Sequence, residues 1–163
     1  MDSTERVTVL FVCLGNICRS PAAEGVFLRL VREAGLQDRI VAASAGTHDF
    51  NLGLEADAGV RRAASRRGLD LSAHRARQVS REDCLCADYV VAMDAANLRA
   101  LHALCPEGAR RRLHLLMDFA AESDAREVPD PYGGREADFE RVLDLVEGGA
   151  RGLLRHIART DLG

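Results

Sequence analysis

The chain has 163 residues, 47% of them hydrophobic and 29% charged, with a formal net charge of −3. That balance describes one ordinary globular domain over residues 1–163, long enough to bury a core. The slightly negative charge gives no electrostatic case for nucleic acid or an anionic membrane surface. No apolar run approaches the ~20 residues that span a bilayer, and the short polar stretch 1–5 predicts no signal peptide. Five cysteines without regular spacing argue against a secreted disulfide framework. A cytoplasmic, reducing location is expected, with secretion by a route needing no signal peptide left open.

Residues 7–12 are apolar and rich in β-branched side chains, the pattern of a short buried strand. Then comes Cys13-Leu14-Gly15-Asn16-Ile17-Cys18-Arg19-Ser20-Pro21. Pro21 suits the first turn of a helix, and residues 22–32 continue in helical fashion. Cys13 is therefore expected at the carboxyl end of a strand, beside a helix N-terminus where backbone amides converge. Gly15 permits close backbone approach and unusual dihedrals, and Arg19 adds a planar cationic fork that matches phosphate oxygens. A cysteine in such a setting ionises readily. Residues Leu14, Gly15, Asn16, Ile17, Cys18, Arg19 and Ser20 thus form a candidate phosphate loop that holds an oxyanion against the Cys13 sulfur. A lone cysteine after a strand is usually a small core residue. The full combination of cysteine, five intervening residues, arginine, serine and proline at this junction favours the reactive reading.

Gly35 stops the first helix, and residues 39–45 read as a second strand ending at Gly46-Thr47. A loop over 48–53 leads into a helix over 54–67 closed by Gly68. Ser80, with Asp83 three residues on, signals a short helix. Residues 88–93 form a third strand, 95–104 a helix stopped before Pro106, and 112–117 a fourth strand. A long loop, 118–134, precedes an amphipathic helix over 135–159 whose inward face carries Phe139, Val142, Leu143, Val146 and Leu153. Strands alternating with helices predict an α/β fold with a parallel sheet covered on both faces. Cys13 then falls where such sheets bind ligands, outside the carboxyl ends of the strands.

The segment from Val12 to Pro21 resembles the signature loop of the low-molecular-weight protein tyrosine phosphatases. Ser44-Ala45-Gly46-Thr47, His74-Arg75-Ala76-Arg77, Met93-Asp94 and Asp130-Pro131-Tyr132-Gly133 extend the likeness over most of the chain. Tyr132-Gly133 is similar to the bacterial branch, where animal members carry two tyrosines. The resemblance implies a doubly wound four-stranded sheet with the phosphate loop between its first strand and helix. It also implies hydrolysis of protein phosphotyrosine through a phosphocysteine, releasing inorganic phosphate without cofactor or metal. A monomer or weak dimer is expected.

Covalent attack on a phosphate monoester needs its charge of about −1.5 to −2 neutralised, which loop amides and Arg19 supply. The departing oxygen needs a proton, and 25 acidic residues leave the donor open on composition alone. Asp130 is the candidate because Pro129 and Pro131 stiffen its flanks, and the resemblance assigns the acid to this Asp-Pro-Tyr aspartate. Phe50 and Tyr132 are the expected pocket walls. Asn16, Ser20, Ser44 and His74 are expected to brace the loop, with Ser20 donating to the Cys13 sulfur. Cys18 lies inside the loop, so it is a candidate to trap oxidised Cys13 as a reversible disulfide. Cys84, Cys86 and Cys105 read as helix and core residues, and no cysteine–histidine set has zinc-site spacing.

The family often carries tryptophan and histidine after Ser-Ala-Gly-Thr, whereas this chain has Phe50 and Asn51 and no tryptophan. Three other readings compete. An arsenate reductase would need a cysteine relay near the third strand, where Met93-Asp94 stands. A phosphopeptide-binding module could dispense with the nucleophile or the acid. A nucleotide-binding loop would need Gly-Lys-Ser/Thr after Gly15, which is absent.

Overall fold

A computed structural model describes residues 5–163. Four strands, β1 (Val7–Cys13), β2 (Ile40–Gly46), β3 (Tyr89–Ala92) and β4 (Leu113–Leu115), form an all-parallel sheet in the order β2-β1-β3-β4. Five helices connect and cover them: α1 (Arg19–Glu33), α2 (Ala58–Arg66), α3 (Arg81–Cys86), α4 (Ala95–Leu104) and α5 (Glu136–Thr160). Alternate residues of β1 point to opposite faces, and both faces are apolar. Val9, Phe11 and Cys13 pack into one cluster with α1, α2 and α5, while Leu10 and Val12 pack into another with α3 and α4. That two-sided burial is why β1 reads as continuous hydrophobic sequence.

The chain runs outward from β1 to β2, then crosses back to β3 and β4. The reversal leaves a crevice at the carboxyl end of β1, where Cys13 pairs with Gly46. The amphipathic reading of α5 holds: Phe139, Val142, Leu143, Val146 and Leu153 are all buried. Ser80 caps α3 through a capping box with Asp83.

Several boundaries differ from the expectation. Helix α2 starts at Ala58, where the Asp57 carboxylate caps it by accepting from the Gly59 amide, and residues 54–57 are irregular. The fourth strand is only Leu113–Leu115, since residues 116–119 tighten into a 3-10 turn. Cys84 and Cys105 are buried as expected but are joined in a disulfide that ties α3 to the end of α4. Their separation of 21 residues in sequence hides a Cα–Cα distance of 5.6 Å, within bonding range. Cysteine number and spacing therefore did not exclude a disulfide; Cys86 stays free and exposed. Among the described residues no helix is long and apolar enough to cross a membrane.

At the edge of the sheet, the His114 ring of β4 packs at a tilt against Tyr89 and Phe119, each with centroids 5.5 Å away, and His156 of α5 closes the cluster. Burial, and then the charge of His156, pushes the His114 pKa down, against a smaller upward pull from Asp118. The unfolded chain binds its proton up to about pH 6.5 and the folded chain only below that, so stability falls as pH drops through this window. Urea midpoints at pH 7 and pH 5 should therefore differ less in His114→Gln than in the wild type. An equal difference in both proteins would exclude His114 as the source.

Candidate active site

Strand β1 ends at Cys13 and helix α1 begins at Arg19, two residues before Pro21, so the intervening loop turns within residues 14–18. Its backbone closes on the nucleophile candidate: the Asn16 amide donates to Cys13 Sγ at 3.3 Å, and Ser20 Oγ lies 3.0 Å from the same sulfur. The left-handed residue of the loop is Asn16, at φ 58°, and not Gly15. Glycine at 15 serves close approach instead, because a Cβ there would strike the Asn51 side-chain amide, which donates to the Gly15 carbonyl at 3.1 Å. Gly46, opposite, lies against the loop backbone: a Cβ would sit 2.8 Å from the Leu14 carbonyl oxygen and 3.0 Å from the Asn16 nitrogen.

Asn16 carries most of the bracing. Its Nδ2 donates to Ser20 Oγ at 2.7 Å and Ser44 Oγ at 3.0 Å, and its Oδ1 accepts from the Arg77 amide at 2.9 Å. His74 Nε2 lies 2.7 Å from the Asn16 carbonyl oxygen, and Ser44 Oγ donates to Glu24 Oε1 at 2.6 Å. The four expected bracing residues thus meet in one network. Glu24 and the Arg77 amide complete it; Glu24 carried no sequence signal, and Arg77 lay in the His74–Arg77 stretch without an assigned role.

Arg19 is only 2% exposed. Its Nη1 donates to Asp94 Oδ2 at 2.6 Å and to the Val128 carbonyl at 3.0 Å, while Nη2 stands 3.8 Å from Asp130 Oδ2. Asp94 also caps α4 by accepting from the Asn97 amide, which fixes the carboxylate that fixes Arg19. Asp94 belongs to the Met93-Asp94 pair of the family resemblance and is a good N-cap residue after β3, but neither signal assigns it to Arg19.

A cavity of about 260 Å³ opens above the loop. Cys13, Arg19 and the loop form its floor, Phe50 and Tyr132 line it, and Asp130 stands at its edge. Asp130 is fixed by its own turn, accepting from the Tyr132 amide at 3.1 Å. Cys18 is buried beside Cys13, and burial, then the charge of Asp57, pushes its pKa up. Its sulfur is therefore protonated at neutral pH. Among the described residues no group of three or more histidine, cysteine or carboxylate side chains is arranged to hold a metal.

A thiol that accepts from a loop amide, a fixed guanidinium and a carboxylate at the rim of one cavity are the equipment of a phosphate-transferring hydrolase. Comparison with known proteins agrees. The family model for low molecular weight phosphotyrosine protein phosphatase matches residues 8–162. The low molecular weight protein-tyrosine-phosphatase YfkJ of Bacillus subtilis is 39% identical, with 94% of this chain and 97% of that protein covered. A pig low molecular weight phosphotyrosine protein phosphatase is also 39% identical, over 94% of this chain and 98% of its own. A protein tyrosine phosphatase from Entamoeba histolytica, crystallised with Hepes in its active site, superposes with a TM-score of 0.91 at 37% identity, covering 94% and 97% of the two chains. The chain belongs to the low molecular weight phosphotyrosine protein phosphatase family and is an enzyme of that type.

Asn16→Ala removes three side-chain hydrogen bonds and leaves alanine at a positive φ. We expect a loss of about 2–4 kcal/mol in urea unfolding. Asn16→Gly accepts the backbone and should recover only part of that. Full recovery by glycine would show that the side-chain bonds contribute nothing.

Proposed function

We propose that the protein hydrolyses phosphotyrosine in protein substrates through a phosphocysteine intermediate. The observation that carries this reading is that Cys13 Sγ, the Arg19 guanidinium and the Asp130 carboxylate all border one cavity. Phosphate oxygens occupy the ring of amides at Leu14, Gly15, Asn16, Ile17 and Cys18, with Arg19 Nη2 turned toward them. The Cys13 thiolate attacks phosphorus from the floor. The S–P bond forms, the P–O bond to the tyrosine ring breaks, and Asp130 gives its proton to the departing phenolate. Water then attacks phosphorus with Asp130 as base, the S–P bond breaks, and inorganic phosphate leaves. Ser20 Oγ, 3.0 Å from the sulfur, stabilises Cys13 as it departs. No metal enters the scheme, because the cation that offsets phosphate charge is Arg19.

Depth selects the substrate. The sulfur lies on a strand end with 2% exposure, beneath Phe50 and Tyr132. An aryl phosphate spans that depth, and a phosphoserine side chain is too short. Cys18, buried in the same loop, is the partner we assign for oxidised Cys13. Its thiol loses its proton as its sulfur attacks the sulfur of a Cys13 sulfenic acid, the S–O bond breaks, hydroxide leaves with that proton as water, and thiols reopen the disulfide. A cytoplasmic location suits a thiol nucleophile that must stay reduced.

Aryl phosphate hydrolysis should persist in excess chelator and disappear in Cys13→Ser. Activity in Cys13→Ser, or none in the wild type, would overturn the reading. Asp130→Ala should lower the rate by about 10²–10⁴ for poor leaving groups, and much less for phenols of very low pKa. A uniform loss would remove Asp130 as the acid.

A further inference from the structure

Five large hydrophobic side chains stand out as exposed among the described residues: Phe50, Leu52, Leu54, Leu85 and Tyr132. Leu85 is isolated on α3, but the other four sit on the two segments that flank the cavity mouth. Phe50 and Tyr132 line the cavity itself. Leu52 and Leu54, at 58% and 53% exposure, lie on the same turn as Phe50 and are not cavity-lining residues.

That turn is held on both sides. The His48 amide donates to the Leu14 carbonyl at 3.0 Å, and Asn51 Nδ2 reaches the Gly15 carbonyl at 3.1 Å. On the other side the Gly53 amide donates to the Ala76 carbonyl at 2.9 Å, and the Ala76 amide to the Leu54 carbonyl at 2.8 Å. The leucines therefore ride on a braced platform and lose little freedom on binding.

Charge at the mouth is one-sided. Residues 47–55 carry Asp49 and Glu55 and no lysine or arginine, and Asp130 borders the cavity from the opposite segment. The nearby guanidiniums of Arg61 and Arg75 are both already engaged with Glu55, at 3.8 and 3.7 Å. An acidic residue beside the phosphotyrosine would meet repulsion here, whereas an apolar one would cover the leucines.

Resting on the phosphotyrosine reading above, we propose that Leu52 and Leu54 form a substrate-recognition ledge, continuous with the cavity, that selects phosphotyrosine segments with apolar neighbours and against acidic ones. Three phosphotyrosine peptides differing only in leucine, glycine or glutamate flanks test it. The readout is kcat/KM on each peptide divided by kcat/KM on a small aryl phosphate in the same preparation.

The wild type should favour leucine over glycine flanks by roughly three- to tenfold, as partial burial of one or two leucines implies. Glutamate flanks should rank last and gain from added salt. Leu52→Ser/Leu54→Ser, and each single variant to a lesser degree, should lose the leucine-over-glycine advantage and keep the penalty on glutamate. Equal ratios for leucine and glycine in the wild type, or an unchanged ranking in the double variant, would overturn the ledge. Absence of aryl phosphate hydrolysis would instead overturn the catalytic reading beneath it.

Discussion

Arg19 is a permanent cation almost out of contact with water, and the site depends on keeping it there. A buried charge costs several kcal/mol unless it is paired and hydrogen-bonded. Asp94 Oδ2 at 2.6 Å and the Val128 carbonyl at 3.0 Å provide this on one side of the guanidinium. The other side is left to face Asp130 and the cavity. An arginine held this way needs no reorganisation when an anion arrives, which is the condition under which fixed charges act most strongly. Removing Asp94 would thus cost more than one hydrogen bond, since it would strand the charge.

The same constraint orders the surrounding fold. Asp94 lies just past β3 as the cap of α4, Val128 lies in the long loop before α5, and Arg19 opens α1. Three separate segments must be in place before the guanidinium is satisfied. Asn16 repeats this logic for the backbone. Its positive φ goes with an amide directed at the Cys13 sulfur, and side chains or amides from α1, β2 and the segment before α3 hold it. Loop and arginine are set by different neighbours, yet both sets converge at the carboxyl end of β1, where the strand order reverses.

The cysteines divide by environment. Cys13 sits in a polar setting, its sulfur accepting from the Asn16 amide and lying 3.0 Å from the Ser20 hydroxyl. Cys18, five residues later, is held protonated by burial and by the negative charge of Asp57. Cys84 and Cys105 are removed from thiol chemistry by bonding to each other. Spacing along the chain did not separate these fates, because each follows from neighbours distant in sequence.

Much of the architecture was legible in sequence. The two-sided apolar strand, the proline in the first turn, the Ser80 cap and the five-residue inward stripe of α5 are local patterns, set by backbone sterics and periodicity, and they gave four parallel strands with helices on both faces. The Cys13-to-Arg19 spacing placed sulfur and guanidinium at one strand-loop-helix junction. Tertiary structure alone decided the rest. Asp94 is 75 residues from Arg19, Val128 is 109 away, and Arg77 is 61 from Asn16. It also decided that Asn16 and not Gly15 takes the left-handed turn, and that Cys84 meets Cys105. Short-range propensity fixes what a segment becomes, but a buried charge or polar group is satisfied by whichever distant atoms the completed packing brings to it.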